Sequence, residues 1–309
     1  MSKARDMLVI GDAMVDAYLR TQPVGVSDEA PVAVLDYVGV QRTLGGMMNV
    51  AASCAACGGV RIIGLVGEDE AGEFLREQAE RLGMEAHWFT DGRPTIEKMR
   101  VLAGEQEAML ARIDVEMAQA VDGPFAAQIL TAATQAVAHC GVVLVSDYAK
   151  GTLSADLARG LLAEAAERAV PVIVDAKPET MKWYRGAALF TPNEREARQY
   201  AALRGFECGG IDDLGASLAQ ALDAAVLITR GAAGMTLIDR DGSRLAHCEA
   251  IADRAVSTSG AGDVVVAAVG HALGAGRSLT EAVEFAAACA AKSVSRAGTC
   301  RIEADDLSI

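Results

Sequence analysis

The chain has 309 residues, 51% of them hydrophobic and only 4% aromatic, which is enough to bury a large core and suits helices on a buried sheet better than an aromatic-rich sandwich. Its 28 Lys and Arg stand against 42 Asp and Glu, a formal charge of −14. Such a surface repels nucleic acid and anionic lipid, so neither is expected as a partner, and an anionic small substrate would need a local basic pocket.

In chain order, the N-terminus moves straight into an apolar strand, "MLVIG" (7–11), with no signal-peptide pattern and no apolar run of membrane length. Residues 13–43 then alternate apolar and polar positions, as 95–113 do later, which predicts a small, partly exposed β-sheet beside the main one, a lid. "GGMMNVAAS" (45–53) opens a helix over 46–57 with a glycine pair that admits close approach of a ligand; a plain loop-to-helix turn has the same form. Cys54 and Cys57 make a lone CxxC in that helix. Without a second pair or a nearby His they read as small packing residues. An odd total of seven cysteines reads as reduced and cytoplasmic.

Further continuous apolar strands are expected at 60–67, 141–147, 170–176, 188–193 and 225–231, with helices at 70–82, 124–138, 154–168, 193–203 and 212–222. Strand–helix alternation of this kind predicts a doubly wound, mostly parallel α/β sheet, whose sites lie at the carboxyl ends of the strands. The polar residues there are Asp12, Ser146-Asp147, Asp175 with Lys177, Asn193, and Thr229-Arg230-Gly231. Each alone is compatible with an ordinary helix cap. In "NERE" (193–196), Asn193 and Glu196 sit one helical turn apart, which suits a water-shelled Mg²⁺ and equally suits a capping box. "TRGAAGM" (229–235) is a strand end with a glycine turn that can hold phosphate.

The last motif is "STSGAGD" (257–263), followed by an apolar helix over 263–273. Gly260 and Gly262 would gather bare N–H groups at a helix N-terminus, an anion hole for a phosphate in transfer. Asp263 beside it reads either as a helix cap or as the general base for an attacking hydroxyl.

These motifs, in this order and over essentially the whole chain, resemble the ribokinase-like (PfkB-type) carbohydrate kinases. The strings "GDAMVDAY", "VSDEAPVAV", "KMRVL", "ARID", "SDYAKG" and "YRGAALFTPN" look like the kinase module of D-glycero-β-D-manno-heptose 7-phosphate kinases, here as a stand-alone kinase of one domain, 1–309. The resemblance implies a three-layer α/β/α fold with a small β-sheet lid, ATP and Mg²⁺ as cofactors, with a monovalent cation as a further candidate, and a homodimer through the lid. The reaction implied is phosphorylation of the heptose 7-phosphate at its anomeric hydroxyl, in the supply of nucleotide-activated heptose. Another sugar or nucleoside acceptor, or a weakened sugar-phosphate-binding homologue, stand as alternatives.

Carried over by position, Asp263 is the base, and Gly260, Ala261 and Gly262 form the anion hole. Asp12, Asp16, Gly45, Gly46 and Asn49 hold sugar hydroxyls. Lys98, Arg100 and Arg112 on the lid bind the sugar phosphate, Asp114 belongs to the same substrate site, and Asp147, Lys150 and Lys177 complete its rim. Asn193 and Glu196 support Mg²⁺, while Thr229, Arg230, Gly231, Gly234, Ser257 and Thr258 line ATP. Three positions depart from the family pattern: Ser257 replaces an acid, Met47-Met48 replace two small residues beside the expected sugar site, and Ala287 replaces an Asn on the adenine side.

Overall fold

A computed structural model describes residues 6–251 and 255–307. In chain order the strands and helices are β1 (Asp6–Gly11), β2 (Ala13–Val26), β3 (Ala33–Gly46), α1 (Met47–Cys57), β4 (Val60–Leu65), α2 (Glu70–Arg81), β5 (Glu85–Phe89), β6 (Ile96–Ala103), β7 (Ala108–Val115), α3 (Gly123–Val137), β8 (Cys140–Asp147), α4 (Ala155–Glu167), β9 (Val172–Ala176), β10 (Leu189–Phe190), α5 (Glu194–Arg204), α6 (Ile211–Leu222), β11 (Ala225–Thr229), β12 (Met235–Ile238), β13 (Arg244–Cys248), α7 (Ala261–Gly274) and α8 (Leu279–Val294). Nine strands form the main sheet in the order β13-β12-β11-β10-β9-β8-β1-β4-β5, and β3-β2-β6-β7 form the lid.

Continuous apolar strands work here because helices cover both faces. Along β1, Met7 and Val9 enter the core under α1, α7 and α8, while Leu8 and Ile10 enter the core under α3, α4 and α6. This is the three-layer, mostly parallel architecture expected from the alternation of strands and helices. Helix starts follow local chemistry: Asp69 caps α2 through Gly72 N, Ser154 caps α4, and Asn193 with Glu196, like Ser278 with Glu281, forms a capping box.

Two features differ from the sequence reading. The sheet ends in an antiparallel hairpin, β12–β13, and gains the edge strand β5. Both β5 and β13 are five residues long and largely exposed, so neither carries a buried apolar run for sequence to reveal. Met47 and Met48, expected beside the sugar, are fully buried in the main core, because α1 runs through the protein interior from its first residue.

Candidate active site

The carboxyl ends of β1, β8 and β9, the N-termini of α1 and α7, and one face of the lid converge. Asp263 stands in the first turn of α7 and is 9% exposed. Asn49, from the first turn of α1, donates through Nδ2 to its Oδ2 at 2.7 Å, and the Tyr148 hydroxyl reaches its Oδ1 at a weaker 3.4 Å. Burial pushes the Asp263 carboxyl up to about 6, against the lowering effect of these two donors. Asp175, at the end of β9, is pushed up to about 7 by burial and then by the charges of Asp263 and Glu196.

Gly260 makes the arrangement sterically feasible. Its φ is +83°, and a Cβ there would stand 2.6 Å from Asn49 Nδ2. Because Gly260 brings no side-chain cap, the helix N–H groups stay open. Val264 N bonds Gly260 O, and Ala261 N bonds Thr258 O at 3.2 Å. The N–H groups of Gly262 and Asp263 have no backbone acceptor among the described residues, and open space lies beside Gly262. The open N–H groups therefore lie one residue later than the sequence expectation of Gly260 to Gly262, with Ala261 committed to its own turn.

The lid contributes one charged face. Thr43, Asp16, Lys98 and Asp114 are register partners across its four strands, and Gln41, Tyr18, Arg100 and Arg112 form the next row. Directly opposed residues point to one side of a sheet, so the lid residues predicted from sequence do share a face. Asp16 bonds Arg100 at 2.6 Å, and its Oδ2 lies 2.7 Å from where a Cβ on Gly45 would be, which is why Gly stands there. Arg112 chelates Asp114 at 2.8 and 2.9 Å. Lys150 pairs with Glu116 at 2.7 Å.

Tyr148, one residue beyond β8, ties lid to rim. Lys98 lies 5.4 Å and Lys177 4.9 Å from its ring centre. Burial lowers the Lys98 ammonium. Burial acts the same way on Lys177, but Glu196, bonded at 2.5 Å, raises it overall.

Several expected ligands of substrate turn out to be scaffold. Asp12 is fully buried, and its carboxylate accepts the backbone N–H groups of Tyr148, Lys150 and Thr152 at 2.8 to 3.1 Å. It shapes the loop after β8 and offers no face to a sugar. Asp147 is likewise buried, bonded to Tyr184 Oη at 2.7 Å and to Ala149 N. Gly46 is the buried N-cap of α1. Gly234 is buried against the Cys248 backbone of β13 rather than open to phosphate. Arg230 Nε bonds Glu194 at 3.2 Å, leaving Thr229 and Gly231 at the strand end beside it. Where the family loop carries an acid, Ser257 is held instead by its N–H on Val294 O and by Cys300 Sγ on its carbonyl. Thr258 is exposed beside it, and Ala287 lies buried in α8.

No cluster of three or more His, Cys, Asp or Glu able to hold a metal occurs among the described residues. Glu196 gives one oxygen to Lys177 and the other to Asn193 N, and Asn193 Oδ1 accepts from Glu196 N. That donor set does not fit a metal caged by protein. It fits an ion that arrives on phosphates and keeps its waters. The CxxC is inert: burial raises Cys54 far above the usual thiol range and Cys57 to about 12.

Residues 4–305 match the profile of the pfkB family carbohydrate kinases. The chain belongs to that family. Bifunctional protein HldE of Azorhizobium caulinodans is 43% identical over 302 residues, 94% of this chain and 61% of that protein. HldE of Gluconobacter oxydans is 37% identical over 309 residues, 97% of this chain and 63% of its own length. The chain thus spans about three-fifths of the length of these relatives. Among solved structures, phosphofructokinase-2 from Escherichia coli in complex with potassium superposes with a TM-score of 0.77 at 19% identity, covering 98% of this chain and 97% of that one. Ribokinase from Arabidopsis thaliana, complexed with ribose and ATP, gives 0.76 at 22%, covering 98% and 97%. These two share the fold, and the resemblance read from the motifs is borne out along nearly the whole pfkB family chain.

Two residues that sequence reasoning gave no role are central here. Tyr148 carried a signal, since it directly follows the end of a buried strand. Arg301, whose Nε bonds Asn49 Oδ1 at 3.1 Å, carried none.

Proposed function

We propose that this pfkB family chain transfers the γ-phosphate of ATP to a hydroxyl of a sugar phosphate, with D-glycero-D-manno-heptose 7-phosphate, at its anomeric hydroxyl, as the acceptor and the 1,7-bisphosphate as product. The observation that carries the reading is Asp263. It is an acid held by Asn49 at the uncapped N-terminus of α7, facing the side of the lid whose two adjacent rows hold Lys98 and Arg100. An acceptor hydroxyl placed there gives its proton to Asp263 as it attacks phosphorus. Charge gathering on the transferring group meets the N–H groups of Gly262 and Asp263. Lys98 and Arg100, in an otherwise acidic protein, suit the phosphate already on the sugar. Asp16, Asn49 and Lys177 border the same space. Asn193 and Glu196 would hold the water shell of Mg²⁺, which supplies charge neutralisation on the ATP phosphates when bound. Arg230, Gly231 and Thr229 flank the nucleotide side.

The reading includes one working unit over 1–309, a homodimer formed through the lid, and a cytoplasmic setting. The last rests on ATP as co-substrate and on cysteines that are unpaired among the described residues. No helix among those residues is long and apolar enough to cross a membrane. The experiment is ADP release with Mg²⁺-ATP against heptose 7-phosphate, sedoheptulose 7-phosphate, fructose 6-phosphate, free ribose and a nucleoside. Turnover on the heptose at least tenfold above the others supports the acceptor. Preference for another acceptor removes the heptose, and no ADP from any of them removes the kinase reading.

A further inference from the structure

We infer that Arg301 is a positioning residue for the base, anchoring and polarising the Asn49 amide that holds Asp263. Arg301 Nε donates to Asn49 Oδ1 at 3.1 Å, and Asn49 Nδ2 donates to Asp263 Oδ2 at 2.7 Å and to Cys300 O at 3.3 Å. A guanidinium has donors only, and a carboxylate and a carbonyl accept, so all three contacts require the same amide orientation. Asn49 is 1% exposed, which denies Oδ1 a ready replacement partner in water. A cation on the carbonyl end draws electron density from the amide and strengthens its N–H donation to the carboxylate.

Arg301 is free to serve in this way. No carboxylate pairs with it among the described residues, whereas its neighbour Arg296 is bound to Asp306 and Glu303. Arg301 lines a cavity of about 280 Å³ between Gln41 and Thr43 of the lid and the 296–303 segment. The charged and titratable groups facing Asp263 are Asp16 from β2, Tyr148 after β8, Asp175 from β9 with Lys177 directly after it, and Cys300. No hydrogen bond from any of them reaches Asn49 Oδ1 among the described residues. Arg301 makes no hydrogen bond to Asp263 itself among the described residues, so its bonded route to the base is the Asn49 amide.

The inference rests on Asp263 being the base, but its test reads Asp263 directly. Asp carboxyls are labelled with ¹³C, and the Asp263 signal is assigned by its loss in Asp263→Asn. The titration midpoint is then followed in the wild type, Arg301→Met and Arg301→Lys. Arg301→Met is expected to raise the midpoint by about one unit, and Arg301→Lys, which keeps a charged donor, to stay near the wild type. The acid limb of kcat/KM should move with it while KM for ATP holds. If Arg301→Met does not fold, Arg301→Ser, which leaves a small polar group in the cavity, carries the same expectation. An unshifted midpoint in the Met variant, or an equal shift in the Lys variant, overturns the inference. If no sugar phosphate is turned over, the carboxyl titration still decides it, so the two failures are separate.

Discussion

Asp263 is under two opposed demands, since catalysis needs it ionised and burial favours its protonated form. Its folded pKa, about 6, lies above the ordinary 3.8. The folded state thus binds this proton more tightly than the unfolded chain. Asp263 favours folding below about 3.8 and loses that contribution as pH rises through about 6. Turnover should run the other way, falling as pH drops through about 6, which a kcat profile from pH 5 to 8 would show. Asp263→Asn removes the base while keeping a polar group opposite Asn49. It should lower kcat by roughly 10² to 10⁴-fold and leave sugar binding by calorimetry intact. The same variant should be more stable at pH 8 by about 1–3 kcal/mol in urea unfolding, with the gain shrinking toward pH 4. Near-normal turnover in this variant would remove Asp263 from the role of base. At this scale the sequence was informative where a residue's task is set by neighbours in the chain, as in "STSGAGD". It was silent on Arg301, which reaches Asn49 across 252 positions. Asp12 was misread for the same kind of reason: an acid after a strand looks alike whether it caps a loop or holds a sugar.

Helix α1 shows how element-scale reading can fail. Eight of its eleven residues are buried, beginning with Met47, so no polar stripe marks which side faces a ligand. The glycine pair before it implies a sugar site, and proximity alone places the two methionines beside it. They lie in the core instead, with Met47 Cε beside Gly64 on β4. Replacing either by Ala, the small type of the family pattern, should therefore cost about 2–4 kcal/mol in denaturant unfolding and leave acceptor preference unchanged. A changed acceptor ranking in the ADP assay would return them to the sugar site. The start of α7 is the converse case, where backbone geometry carries the function. Gly260→Ala would force a Cβ against Asn49 at a φ of +83°, costing about 1–2 kcal/mol for the left-handed backbone alone and displacing the amide from Asp263. We expect kcat to fall tenfold or more with KM for ATP little changed, and unaltered kinetics would mean that the Asn49 contact is dispensable. The buried parallel strands are plain in the sequence because each is encoded within a few residues, whereas the Asn193–Glu196 spacing alone suits a metal site and a capping box equally. The β12–β13 hairpin is not plain there, since its pairing is set by the sheet edge it joins.

At the scale of the molecule, the two sheets have opposite surfaces. The nine-stranded sheet is covered by helices on both faces, whereas the lid shows one charged face toward the site and leaves large apolar residues in water. Val26 is 72% exposed, Tyr37 67% and Val38 66%, and on the opposite edge strand β7 Met109 is 63% and Ile113 51% exposed. A four-stranded sheet with so much uncovered apolar surface is poorly suited to stand alone in solvent. The alternation in 13–43 and 95–113 announced a two-faced sheet, but alternation cannot say what covers the second face. A second copy of the chain meets the requirement without another partner, because like apolar surfaces suit a two-fold interface. The proposed dimer predicts sedimentation at twice the 32.1 kDa chain mass at micromolar concentration. Val38→Asp combined with Ile113→Asp should give monomers that keep the far-ultraviolet spectrum, since both side chains are exposed and outside the main core. Because β3 and β7 form the two edges of the lid, loosening them should also raise KM for the sugar phosphate more than KM for ATP. A wild-type chain that sediments as a monomer at tens of micromolar, or a double variant that remains dimeric, would rule out the lid as the interface.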